Sequence, residues 1–147
     1  MSTRIRSELF DLGDEANAFA AAQTGAGAVV TFTGLVRDVA SGDLAVMEIE
    51  HYPGMTERAL EAYRQEAIAR FNLTGAMVIH RFGSLRPDEP IMMVATAARH
   101  RADAFAAAEF LMDWLKSRAP FWKKEITSEE EVWVAARDED EAALTRW

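Results

Sequence analysis

The run Ile91-Met92-Met93-Val94-Ala95-Thr96-Ala97-Ala98 constrains this chain more than any other segment. It carries no charge and no alternation, so it reads as a central strand covered on both faces, and the turn sequence Arg86-Pro87-Asp88-Glu89-Pro90 sets its start. Other segments arrange themselves around it. Ala28–Arg37 and Leu44–His51 have the β-branched and aromatic content of strands, as do Met77–Phe82 and, more weakly, Arg4–Phe10 and Val132–Ala135. Asp11–Ala22 reads as a short helix with Asp14 as its cap. Two longer amphipathic helices are predicted over Thr56–Arg70 and from Arg101 or Ala102 to Lys116 or Ser117, the second with Phe105, Ala108, Met112 and Leu115 on its apolar stripe, Leu111 and Trp114 widening it, and Pro120 as its stop. The order strand-strand-helix-strand-strand-helix-strand leaves paired strands with no helix between them. That pattern implies hairpins and an α+β fold with a mixed, largely antiparallel sheet and two main helices, and it excludes a doubly wound nucleotide fold.

At 147 residues the chain is expected to form one domain over 1–147, with room for a small β subdomain. Its 24 acidic side chains against 16 Lys plus Arg give a net charge of −8, which argues against nucleic acid as a partner. The absence of cysteine rules out disulfides, thiolate nucleophiles, persulfide relays and cysteine-held clusters within the chain, so any sulfur chemistry must import its sulfur. The first ten residues contain Arg4, Arg6 and Glu8 where a secretory signal needs an apolar stretch, and no segment approaches a membrane span, so a cytoplasmic protein is expected.

Chemistry concentrates in one stretch of the sequence, residues 99–124. Arg99-His100-Arg101 stands where the second long helix starts, against the macrodipole preference for acids, a cost that an anionic ligand would reverse; a solvated cluster offset by Asp103 is the alternative. Lys116, Lys123 and Lys124 follow, so residues 99–124 hold six Lys plus Arg against Asp103, Glu109 and Asp113. Such a patch suits a small phosphorylated substrate, although helix-terminal lysines also serve only to solvate a surface. Phe121-Trp122 has the character of a stacking platform or of packing. Gly34 permits close approach beside Phe32 and Arg37. His51, His80 and His100 lack the spacing of metal ligands and default to packed or hydrogen-bonded histidines; no metal or cofactor is expected, and neither a nucleophile elbow nor a phosphate loop occurs.

Five separated blocks resemble the large, catalytic subunit of molybdopterin synthase: Gly27-Ala28-Val29-Val30-Thr31-Phe32-Thr33-Gly34-Leu35-Val36-Arg37; Glu50-His51-Tyr52-Pro53-Gly54-Met55; Ile79-His80-Arg81-Phe82-Gly83; Ala98-Arg99-His100-Arg101 with Ala104-Phe105; and Met112-Asp113 with Leu115-Lys116 and Ala119-Pro120-Phe121-Trp122-Lys123-Lys124-Glu125. The resemblance implies an α/β hammerhead-like fold with an additional sheet. It further implies sulfur transfer from the C-terminal thiocarboxylate of a small ubiquitin-like partner ending in Gly-Gly to cyclic pyranopterin monophosphate, forming the molybdopterin dithiolene. The large subunit is expected as a homodimer at the centre of a heterotetramer.

Carried over by position, the resemblance makes Lys116 and Lys123 the catalytic lysines. His100 and Arg101 become phosphate binders, with Arg37, Lys123, Lys124, Glu125 and Arg137 completing the substrate site, Arg137 from a neighbouring protomer. Phe32, Met112, Phe121 and Trp122 would line the pterin or tail channel. Leu35 stands where family members can carry a basic residue, so no polar role falls to it. Two other readings share these residues: a noncatalytic module that binds an acidic peptide terminus, and an enzyme acting on a phosphorylated small molecule without a protein sulfur donor.

Overall fold

The computed structural model describes residues 2–134 and 138–147. Among these, eight strands form two four-stranded sheets accompanied by four α-helices. The first sheet contains β1 (Thr3–Arg6), β4 (Gly75–Arg81), β6 (Pro90–Ala98) and β2 (Ala28–Leu35) in the order β1-β4-β6-β2. Only β1 and β4 run parallel; β6 pairs antiparallel with both of its neighbours, in the central position expected of its apolar run. The second sheet, in the order β5-β3-β7-β8, is built from β5 (Gly83–Leu85), β3 (Leu44–His51), β7 (Phe121–Thr127) and β8 (Glu131–Trp133), all antiparallel.

The first sheet is covered on both faces, as a strand without alternation requires. Ala76, Val78, Met92, Val94 and Ala98 point toward α2 (Met55–Phe71) and α3 (Arg101–Ser117), where they meet Leu60, Ala67, Ala104, Ala107, Phe110 and Leu111. Met77, Ile79, Met93, Ala95 and Ala97 point the other way, against Phe10 and against Phe19 of α1 (Leu12–Ala21). Thr96, fully buried, donates its hydroxyl to the Ala104 carbonyl at 2.7 Å and so ties the first turn of α3 to the sheet. Arg81, also buried, donates to the carbonyls of Ser7 and Pro90 and joins the ends of three segments.

Several local expectations change. Asp11, not Asp14, caps α1: its carboxylate accepts from the Asp14 N–H at 2.8 Å. The buried stripe of α3 follows the small residues Ala104, Ala107 and Ala108 together with Phe110 and Leu111, because alanines let the helix lie close to the sheet, while Phe105 is 62% exposed. Residues 121–127, unassigned from sequence, form β7, the strand that joins β3 to β8. The acidic tail contains α4 (Asp138–Ala143), after which Trp147 packs edge-on to Phe71 and Phe110 and donates its indole N–H to Asp113. Gly83, with φ of +92°, bends the chain as it leaves β4 in one sheet for β5 in the other.

Candidate active site

A cleft of about 460 Å³ opens where the two sheets meet the C-terminal end of α3, and a smaller chamber of about 80 Å³ adjoins it. His80, Leu115, Lys116 and Lys123 line both and form the boundary between them. The large cleft continues past Phe121, Trp122 and Trp133 to Asp140 of α4. Beyond that boundary the walls of the small chamber are apolar, with Phe32, Gly34, Met92 and Met112 among them.

Each lysine arrives there for a local reason. Lys116 occupies the last turn of α3, where a cation favours the helix dipole, and it is exposed to the cleft. Lys123 lies opposite Ile49 in the β3–β7 register, so its side chain starts from the inward face of the second sheet. Burial, reinforced by the positive charge of Lys116 and opposed by Asp140, lowers its pKa from 10.5 to about 8. Its ammonium therefore sits within reach of a proton-transfer role near neutral pH. No hydrogen bond or ion pair engages either ammonium among the described residues, leaving both available to an anion.

Phe121 and Trp122 are successive strand residues and face opposite ways. Phe121 points inward and stacks on the His80 imidazole, with ring centroids 3.7 Å apart and planes within 14°. Trp122 stands on the rim of the cleft, 49% exposed. The sequence pair thus supplies one packing ring and one accessible ring.

Other candidate residues lie elsewhere on the single chain. His100 is the N-cap residue of α3 and Arg101 its first residue, about 22 Å along the helix axis from Lys116. Both are exposed, as is Arg37 just beyond β2. Lys124 projects to the outer face of the second sheet, where its ammonium lies 4.8 Å from the Trp133 ring centre and 3.5 Å from Glu131. Glu125 faces an acidic recess with Asp43, Glu129 and Glu130. Arg137 lies outside the described residues. Conversely, Trp133 and Asp140 line the cleft although nothing in the residue pattern singled them out, and so does His80, which the spacing marks only as a packed or hydrogen-bonded histidine. Among the described residues no group of three His, Asp or Glu is assembled to hold a metal ion, and no helix is long and apolar enough to cross a membrane.

The family model described as MoaE protein matches residues 5–118. A protein of Cereibacter sphaeroides named molybdopterin synthase catalytic subunit is 65% identical over 147 residues, covering all of both chains. Among solved structures, the molybdopterin biosynthesis MoaE protein from Burkholderia ambifaria superposes with a TM-score of 0.85 at 51% identity, covering 99% of this chain and 97% of that one. Molybdopterin synthase from Staphylococcus aureus does so with a TM-score of 0.79 at 29% identity, covering 89% and 95%.

Proposed function

Because the chain belongs to the MoaE family, whose relatives are catalytic subunits of molybdopterin synthase, we propose that it inserts sulfur into cyclic pyranopterin monophosphate. The donor in this reading is the C-terminal thiocarboxylate of a small ubiquitin-like subunit ending in Gly-Gly, and the product is the molybdopterin dithiolene. The observation that carries it is the pairing of two unpartnered lysines in an aromatic-rimmed cleft with a chain that contains no thiol. Such a cleft binds an anionic sulfur donor, and the missing cysteine requires that the donor bring its own sulfur.

The thiocarboxylate sulfur attacks C1′ or C2′ of the pyranopterin side chain, forming a carbon–sulfur bond and a thioester to the donor's terminal glycine as the carbon–oxygen bond at that carbon breaks, the oxygen leaving as water from C1′ or with the phosphate, whose ring opens, from C2′. Water then cleaves the acyl–sulfur bond, releasing the donor as a carboxylate and leaving sulfur on the pterin, and a second charged donor repeats the step. The Lys116 and Lys123 ammoniums stabilise the negative charge that develops on the acyl oxygen, and Lys123, with its pKa near 8, exchanges the proton. An ammonium role predicts activity that falls as pH rises through about 8.

The distance between His100-Arg101 and Lys116 supports a homodimer as the working unit. β2 is an edge strand of the first sheet and shows exposed Val29, Phe32 and Leu35. Two-fold antiparallel pairing along β2 sets the Ala28 end of one copy beside the Leu35 end of the other. Ala28 is paired with Ala98, immediately before Arg99, and Leu35 lines the small chamber. Each cleft then receives His100 and Arg101 from the second copy as phosphate ligands, with Arg37 nearby. We expect this dimer to bind two small subunits as a heterotetramer in the cytoplasm.

Reconstitution with a thiocarboxylated small subunit and the pyranopterin, followed by mass detection of the dithiolene, tests the reaction. Absence of product with a fully charged donor would refute it. Light scattering should give about twice the chain mass for the protein alone. Mixing a Lys116→Ala chain with an Arg101→Ala chain should recover activity that neither has by itself.

A further inference from the structure

The lysine cleft contains a buried histidine to which sulfur transfer gives no task. His80 is 4% exposed and lies on the face of β4 that carries Ala76 and Val78 into the main core. Its surroundings fix it in three ways. One ring face is covered by Phe121 at 3.7 Å. Its Nδ1 lies 2.7 Å from the Arg81 carbonyl, which can only accept, so Nδ1 carries the proton. Nε2 is therefore left with a lone pair, on a residue that lines both chambers beside Lys116 and Lys123.

We propose that His80 is a positioning residue for Lys123: its ring holds Phe121 and hence the start of β7, while its Nε2 is the acceptor that the Lys123 ammonium, which no hydrogen bond or ion pair holds among the described residues, reaches by side-chain rotation, directing that charge toward the boundary between the two chambers. This rests on the sulfur-transfer reading for its purpose, though not for its measurement.

The electrostatics favour the assignment. The charged and titratable groups that act on His80 from the elements packed around it are Lys123 on β7, Lys116 at the end of α3 and His51 on β3. Burial first and these neighbours second push the imidazole down to about 3, against a weaker upward pull from the Arg81 carbonyl. The ring is thus uncharged throughout the working range. It adds no third cation to a cleft meant for an anionic donor, and it adds no carboxylate to compete with that donor for the ammonium. A neutral acceptor is the one kind of group that orients a lysine without neutralising it.

The test reads Lys123 directly. The rate at which Lys123 is acylated by acetic anhydride, followed by peptide mass spectrometry as a function of pH, reports its pKa without any need for turnover. His80→Phe keeps the stack and removes the acceptor, so the Lys123 midpoint should fall by about one pH unit. His80→Ala also frees Phe121 and admits water, so the midpoint should rise toward the ordinary lysine value. His80→Gln, which retains an acceptor oxygen, should lie within a few tenths of a unit of wild type.

A midpoint unchanged in His80→Phe, or one that moves in the same direction in the Phe and Ala variants, would overturn the proposal and leave His80 as packing alone. Should His80→Phe fail to fold, nitrogen-15 NMR of the wild-type protein decides: a protonated Nδ1 with bare Nε2 at pH 7 is expected, and a proton on Nε2 overturns the assignment. In the reconstituted reaction the high-pH limb of activity should shift with the labelling midpoint. Wild type that makes no dithiolene while the labelling shifts occur as described would refute sulfur transfer and leave the His80–Lys123 coupling standing.

Discussion

The two sheets of this molecule are built to different standards. In β1-β4-β6-β2 the central strands are buried on both faces, with Val78, Ile79, Met93, Val94 and Ala95 at 1% exposure or less. In β5-β3-β7-β8 one face packs through Met47 and Ile49 while the other carries Trp122 and Trp133 into solvent, and all three residues of β8 are exposed. The first sheet resembles the interior of a larger protein; the second is thin and open, yet it supplies Lys123 and the aromatic rim. Stability and chemistry are thereby separated onto two supports that touch where His80 stacks on Phe121. The open sheet tolerates a half-buried lysine because the closed one supplies most of the apolar burial.

That division is best tested by substitutions whose stability and activity effects diverge. Phe110→Ala removes a fully packed ring from the α3 interface and should cost about 3–5 kcal/mol, seen as a melting temperature lower by roughly 10 °C or more. Trp133→Ala, on the open sheet, should stay within about 0.5 kcal/mol of wild type. Lys123→Ala should lower single-turnover dithiolene formation by about 10²–10³-fold without lowering the melting temperature; a destabilised variant of normal activity would erase the distinction between the sheets.

Lys123 also gives the open sheet a pH signature. Its folded pKa, about 8, lies below the unfolded value of 10.5, so the unfolded chain binds more protons between these limits and stability rises with pH across that window. Denaturant titrations at pH 7.5 and 10.5 should show wild type gaining on the order of 2 kcal/mol relative to Lys123→Met. Thr96→Val removes the hydroxyl that ties α3 to the closed sheet and should cost about 1 kcal/mol, with activity intact. Lys124→Ala, which loses only a surface contact with Trp133 and Glu131, should change stability by less than about 0.5 kcal/mol.

The closed sheet was readable because its signals are local: an apolar run, alternating neighbours and two amphipathic helices. The open sheet was not. Phe121-Trp122-Lys123-Lys124-Glu125 hides its strand because a lysine occupies an inward position, and Gly83-Ser84-Leu85 is too short to register. Phe105 misled because large side chains draw attention from the alanines that set the α3 contact. Within the cleft, Lys116 and Lys123 came from the family motif, whereas His80 looks like any packed histidine until the register of β4 and its stack on Phe121 are seen. The separation of His100 and Arg101 from Lys116 follows from helix length, but its meaning depends on a second copy that a single sequence does not display.

The position of β7 between β3 and β8 also sets a timetable. A ribosome releases this chain from the N-terminus, and every strand of the closed sheet, together with α1 and α2, has been synthesised once residue 98 has emerged. β3 and β5 exist by then too, but they wait for residues 121–127 to cross between the halves of the open sheet. Lys123 is thus delivered by one of the last segments to leave the tunnel, onto a scaffold already able to hold it. A nascent or prematurely terminated chain completes the strands of its closed sheet before it acquires Lys123, and a half-made copy presents no lysine cleft.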